Sequence, residues 1–262
     1  MMNNLAPLLA EKPSVLREQF INDYAKLHGI NPHLALGYIK AQDHFEKLTE
    51  EWYERLSQGD LDGAYAVYND DYYFTDLWTC FVTYSRSYLH RFYKPAIDGQ
   101  SILDLTGHVK VIADIGCGIG YTTTALKQMY PGAEVYGVNL KGTKEWTFCE
   151  MMATKHNFHM VGDVRDIPVN VDLVFASEFF EHILNPIEYV DDIIRCYDPK
   201  FMIIANAFNT RSIGHFNRYE LPGLNIDASI MSKWFNAHMR MKGYDKLRTT
   251  LYNGKPNVWV KR

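Results

Sequence analysis

Residues 109–121 read VKVIADIGCGIGY, an apolar run closed by an acid and then by three glycines at alternate positions, Gly116, Gly118 and Gly120. Such a run predicts a buried strand that enters a tight turn. Glycine is needed in a turn of this kind because a Cβ opposes a positive φ and keeps a ligand away from backbone N–H groups. The helix expected over 121–130 points its N-terminus at the turn. Asp114 stands at the strand end, where a carboxylate accepts from a cationic or hydroxyl-bearing ligand. The spacing is D-x-G-x-G-x-G. A dinucleotide fingerprint, G-x-G-x-x-G, would require glycine at 121 after Gly116 and Gly118, and Tyr121 stands there, so a pyrophosphate cradle is the poorer reading.

From residue 102 onward, strands and helices alternate. Short apolar strands are expected at 133–139, 158–161, 171–176 and 201–207, with helices over 143–156 and 186–196 between them. That order builds right-handed βαβ units of a parallel sheet. The end differs: a helix over 228–242, a strand at 246–252, the turn pair Asn253-Gly254 and a returning strand at 258–261 predict a hairpin. Before residue 102 the chain reads as helical. Pro13 and Pro32 open helices over 14–27 and from 32 toward 56, with Gly29 and Gly59 as stops. The segment 72–93 is rich in aromatics, including Trp78, Phe81, Tyr84 and Tyr88.

The glycine turn and the elements after it resemble class I S-adenosylmethionine-dependent methyltransferases, from about residue 102 to the C-terminus. The resemblance implies an α/β fold: a doubly wound, mostly parallel seven-stranded sheet with an antiparallel last strand, and a helical N-terminal cap. It divides the chain into a lid and substrate region, 1–101, and a methyltransferase domain, 102–262. Tyr84 and Arg86 are then candidate lid residues. By the same resemblance S-adenosylmethionine is the cofactor. Gly116, Cys117, Gly118 and Gly120 pack against its methionine portion, and Asp114 helps to hold it. Asp163 in GDVRDIP accepts from the adenine amino group, with Val164 beside the ring. At Asn139 the chain departs from the family, which usually places an acid there for the ribose hydroxyls; an amide lacks the charge-assisted contact.

After the strand at 171–176 comes SEFFEH, which puts Glu178, Glu181 and His182 within five residues. Two carboxylates and an imidazole at a site mouth can ligate a divalent cation or hold a general base. E-x-x-E-H followed by Ile183 resembles the ubiquinone-pathway O-methyltransferases and the small-RNA 2′-O-methyltransferases, in which these positions are metal ligands. The RNA group has a second histidine after the next strand, and His215 occupies that place. A shared site for Mg²⁺ or Mn²⁺ would need Glu178, Glu181, His182 and His215 to converge. Without a metal, His182 or His215 must act as base, with Glu178 as the third catalytic candidate and a second contact to the cofactor.

Charge enters the choice of acceptor. The net charge is −4, yet residues 211–262 carry ten basic against three acidic side chains and residues 1–105 nine against fifteen. A nucleic-acid binder ordinarily presents a broad basic surface. A small-molecule acceptor is therefore expected first, a metal-dependent RNA 2′-O-methyltransferase second, and a catalytically silent S-adenosylmethionine-binding protein third. Four scattered cysteines predict reduced thiols, and with no long apolar run the chain is expected to be soluble and cytoplasmic, away from membranes.

Overall fold

The computed structural model describes residues 5–221 and 223–262. Seven strands form one sheet: β1 (Val111–Ile115), β2 (Glu134–Val138), β3 (His159–Val161), β4 (Leu173–Ser177), β5 (Phe201–Ala205), β6 (Tyr244–Lys246) and β7 (Asn257–Lys261). Their order is β6-β7-β5-β4-β1-β2-β3. Strands β1 to β5 run parallel, and β7 is antiparallel to both neighbours, β5 and β6. The order in which the parallel strands are laid down reverses between β1 and β4, which opens a crevice at the carboxyl ends of those strands. Both faces of the sheet are buried, as the apolar runs require: β5 has no exposed residue.

The helical N-terminal region comprises α1 (Pro13–His28), α2 (Pro32–Lys40), α3 (Gln42–Ser57), α4 (Asp71–Cys80) and α5 (Arg86–Arg91), with shorter turns between. Gly29, in the left-handed conformation, ends α1 as expected. The single helix expected from Pro32 is two, parted at Ala41. Helices α4 and α5 are joined by one stretch of wider, π-helical turn, Phe81–Ser85. Phe20, Phe74, Trp78 and Phe81 meet Tyr121 and Phe148 in one aromatic cluster, so this region and the sheet share a core.

Helices α6 (Tyr121–Met129), α7 (Lys144–His156), α8 (Pro186–Tyr197) and α9 (Ala228–Met241) fall where the sequence predicts them. Two features differ. An additional antiparallel ribbon, Arg218–Leu221 with Leu224–Asp227, precedes α9. The expected Asn-Gly hairpin is replaced by a loop over 247–256 between β6 and β7. That loop is held by the helical region: Thr250 N–H donates to Ala96 O at 3.0 Å, and Arg91 donates to the carbonyls of Tyr252 and Lys255. Backbone groups spent on these ties cannot zip the two strands down to the turn.

Candidate active site

The glycine turn lies at the carboxyl end of β1, and its three glycines all have positive φ. They do different work. A Cβ on Gly116 would overlap the ring of Phe179, and one on Gly120 would stand 2.8 Å from Cys149 Sγ, so these two glycines serve packing. At Gly118, with φ +52°, a Cβ would meet only Leu77, at 3.8 Å. Its N–H has no acceptor among the described residues. Gly118 is thus the place where a ligand can approach backbone closely. The turn carbonyl of Gly118 is held by Asn139, whose Nδ2 donates to it at 2.9 Å while Oδ1 accepts from Leu140 N–H.

Asp114 is buried and accepts from Thr123 Oγ1 at 2.7 Å; burial raises its pKa to about 7, against the pull of that hydrogen bond. Its side chain fixes the start of α6. Cys117 turns into the core, its Sγ 3.6 Å from that of Cys149 and beneath Gly137, so the side chain expected at the cofactor faces the other way. Asp163 caps its own turn: Oδ1 accepts from the N–H and Nε of Arg165, both at 2.8 Å, and Oδ2 from its Nη2 at 2.5 Å. Those bonds hold its pKa below the ordinary carboxyl value. Val164 is buried, and its carbonyl accepts from Tyr197.

The SEFFEH segment follows β4. Glu178 has a left-handed φ of +52°, a strained conformation for a residue with a Cβ. Its Oε1 accepts from Tyr88 Oη at 3.0 Å and lies 3.9 Å from Lys255 Nζ. Glu181 is fully buried; Oε1 accepts from Ala207 N–H at 2.6 Å, and Oε2 has no conventional donor. Burial, and then the adjoining Glu178, raise its pKa well above the usual range, which favours the protonated form.

His182 Nδ1 is 3.2 Å from Tyr68 Oη, and its ring meets that of His215 edge to face with centroids 4.7 Å apart. His215 Nδ1 lies 2.7 Å from Thr210 O, which assigns its proton to Nδ1 and leaves Nε2 as an acceptor. Burial, reinforced by His215, keeps His182 well below the ordinary histidine pKa, and burial lowers His215. Both are neutral imidazoles. Among the described residues no three His, Cys, Asp or Glu side chains are placed to hold a metal ion, so the four expected ligands do not form one centre. Glu181 Oε1 is taken up by Ala207 N–H, and His215 Nδ1 by Thr210 O.

Sequence reasoning missed the residues by which the helical region reaches this site. Ser85 Oγ is 3.0 Å from Ser177 Oγ, and Tyr88 and Tyr68 contact Glu178 and His182 as above. Tyr84, expected to line the lid, is exposed, and Arg86 instead donates to the carbonyls of Leu9 and Glu11. The aromatic run contained Tyr88, but only the helix phase singles it out. Asn206, directly after β5, has a buried Oδ1 with no donor and adds an open acceptor beside Ala207.

Residues 113–204 match a family model described as a methyltransferase domain. Residues 113–204 thus carry an S-adenosylmethionine-dependent methyltransferase domain, and the glycine turn, the SEFFEH segment and β1 from Ala113 onward fall within it. No curated protein matches. Among solved structures, the mitomycin 7-O-methyltransferase MmcR aligns over 98% of this chain and 74% of its own, with 12% identity and a TM-score of 0.53. The plantazolicin methyltransferase BpumL aligns over 63% of this chain and 62% of its own, at 15% identity and a TM-score of 0.42. The N-terminal domain of EvdMO1 aligns over 39% of this chain, at 18% identity and a TM-score of 0.34, and this chain spans only 45% of that one. Among the described residues no helix is long and apolar enough to cross a membrane.

Proposed function

We propose that the chain transfers the methyl group of S-adenosylmethionine to a small-molecule acceptor held between the helical region and the strand ends. The observation that carries this reading is the contact of the helical region with the site: Tyr88 on Glu178, Ser85 on Ser177 and Tyr68 on His182. These contacts roof the crevice. A roofed crevice suits a compact acceptor better than a polynucleotide, whose phosphates need an extended basic track. The whole-length alignment with MmcR, a mitomycin 7-O-methyltransferase, supports the same reading, since it takes in the helical region.

The cofactor supplies an electrophilic methyl on a sulfonium. Gly118 and its free N–H fit such a ligand, with Asp114 and Asn139 shaping the turn that holds it. Asp163 and Val164 would flank its base from the end of β3. The protein has then to exclude water, align the acceptor and accept its proton. His182 is the proton acceptor in this reading: it is neutral, it stands at the strand ends, and Tyr68 orients its ring. His215, fixed by Thr210, packs against it. Glu178, held by Tyr88, offers its carboxyl group toward the crevice.

The test is calorimetry with S-adenosylhomocysteine, followed by transfer of radiolabelled methyl from S-adenosylmethionine to pooled small-molecule hydroxyls and, in parallel, to short RNA. Label in the RNA alone would establish the nucleic-acid reading in its place. Cofactor binding with no transfer to either would favour a binding protein.

A further inference from the structure

A second cavity, of about 580 Å³, lies on the other side of α5 from the active site, between that helix and the 247–256 loop. Its walls carry Arg86, Ser87, His90, Arg91, Lys94 and Tyr252, and no acidic side chain. Positions 86 and 90 lie on one face of α5, and Lys94 joins them from the turn that follows the helix; Tyr88, which serves Glu178, is two residues out of phase with Arg86 and faces away. The cavity is therefore distinct from the crevice at the strand ends.

The charges in it are uncompensated. Arg86, Arg91 and Lys94 have no ion-pair partner among the described residues, whereas thirteen other pairs are formed. Arg86 Nη2 is satisfied by the Leu9 and Glu11 carbonyls, but its Nε–H is buried with no acceptor at all. Burial alone lowers its pKa, with no carboxylate to offset the cost. Arg86 and Lys94 also act on His90, which burial and these two cations hold below the ordinary histidine value. A partly buried guanidinium that meets only carbonyls keeps its net charge, and an anion in the adjoining cavity would offset it.

We infer that this cavity is a binding site for a small phosphorylated ligand, one bearing a diphosphate or two phosphate groups. Three fixed positive charges and a protonatable imidazole around one space call for more than a single negative charge. A guanidinium is matched to the oxygens of phosphate, and the ammonium of Lys94 serves as a mobile point charge at the rim. The volume is that of a site for a small organic molecule and exceeds what one inorganic anion fills.

Isothermal titration at constant ionic strength, with inorganic pyrophosphate in one arm and adenosine diphosphate in the other, tests the site. Pyrophosphate is expected to bind with one-to-one stoichiometry, and tighter binding of the nucleotide would show that the organic part is held too. Lys94→Gln should weaken pyrophosphate about tenfold, and Arg86→Gln about thirtyfold or more, equivalent to about 1.4 and about 2 kcal/mol for the loss of charge-assisted bonds. Both variants should keep the wild-type affinity for S-adenosylhomocysteine, because neither residue touches the strand ends. Lys94 is exposed and its side chain makes no hydrogen bond or ion pair among the described residues, so its variant reports even if Arg86→Gln does not fold. Absence of pyrophosphate binding at millimolar concentration, or an affinity that Lys94→Gln leaves unchanged, would overturn the assignment.

Discussion

Asn139 Nδ2 donates to the carbonyl oxygen of Gly118 across 2.9 Å, tying the end of β2 to the glycine turn that follows β1. An aspartate has no hydrogen to give at this place. The substitution Asn139→Asp, which on family grounds should strengthen a ribose contact, would set a carboxylate against a carbonyl and release the turn. Its affinity for S-adenosylhomocysteine is expected to fall about tenfold, the worth of roughly 1.4 kcal/mol. Calorimetry decides; tighter binding would refute the proposed role of the amide.

Gly118→Leu should abolish cofactor binding while the fold survives. The new side chain enters open space and meets only Leu77, so its structural cost is the left-handed backbone, about 1–2 kcal/mol. A thermal melt lowered by a few degrees, with no heat on adding S-adenosylhomocysteine, is the expected pair of results. Retained binding would place the cofactor elsewhere.

Besides Glu181, three carboxyls with raised pKa values shape the pH dependence of stability. Burial raises Glu145 and Asp114 to about 7 and Asp76 to about 6. Each folded-state value lies above the unfolded one, so between the two the folded state binds more protons, and stability is lost as pH rises toward 7. Both Glu145 oxygens are without hydrogen-bond partners, and glutamine keeps its shape without its charge. Glu145→Gln should therefore flatten the decline between pH 5 and 8 by an amount of order 2 kcal/mol. Denaturant melts at the two pH values measure it, and an unchanged slope would contradict the argument.

His182 has the opposite sign. Its folded pKa is depressed, so it stays an acceptor as pH falls through the ordinary histidine range and protonates only below it. Once an acceptor molecule is found, kcat/KM should hold level from pH 8 to about 6.5 and His182→Ala should remove about 10²-fold or more of it. A profile that follows an unperturbed imidazole would speak against His182 as base.

Exhaustive chelation should leave the melting temperature and the affinity for S-adenosylhomocysteine unchanged, and added Mg²⁺ or Mn²⁺ should shift neither. Among the described residues, no three of the side chains expected as ligands are placed to share an ion. A metal-dependent gain in either measurement would revive a shared centre.

The alternation of apolar runs with helices made β1 to β5 and the helices between them legible, because buried parallel strands and amphipathic helices leave opposite periodicities in the chain. Asp114, Glu178 and His182 were legible for a related reason, as polar residues that follow such runs. Side-chain direction was not. Cys117 sits in the same turn as Gly118 yet points into the core, and Arg86 sits two residues from Tyr88 yet serves another cavity. Such choices depend on helix phase and on partners distant in sequence: Asn139 is 21 residues from Gly118, and Tyr88 is 90 from Glu178. The Leu247–Pro256 connection was misread for want of the same information, since its partners are Arg91 and Ala96.

The widened turn at Phe81–Ser85 has a consequence for how this chain tolerates change in length. A π-helical turn contains one residue more than the α-helical path it replaces. Deleting one residue within it would let α4 and α5 merge into a continuous α-helix whose two ends keep their phase, so Tyr88 would stay on Glu178. The same deletion inside a regular turn of α4 or α5 would instead rotate everything beyond it by about 100° and carry Tyr88 off the site. The wide turn is thus a slack link in the chain, a place where a residue can be lost without turning one half of the helical region against the other.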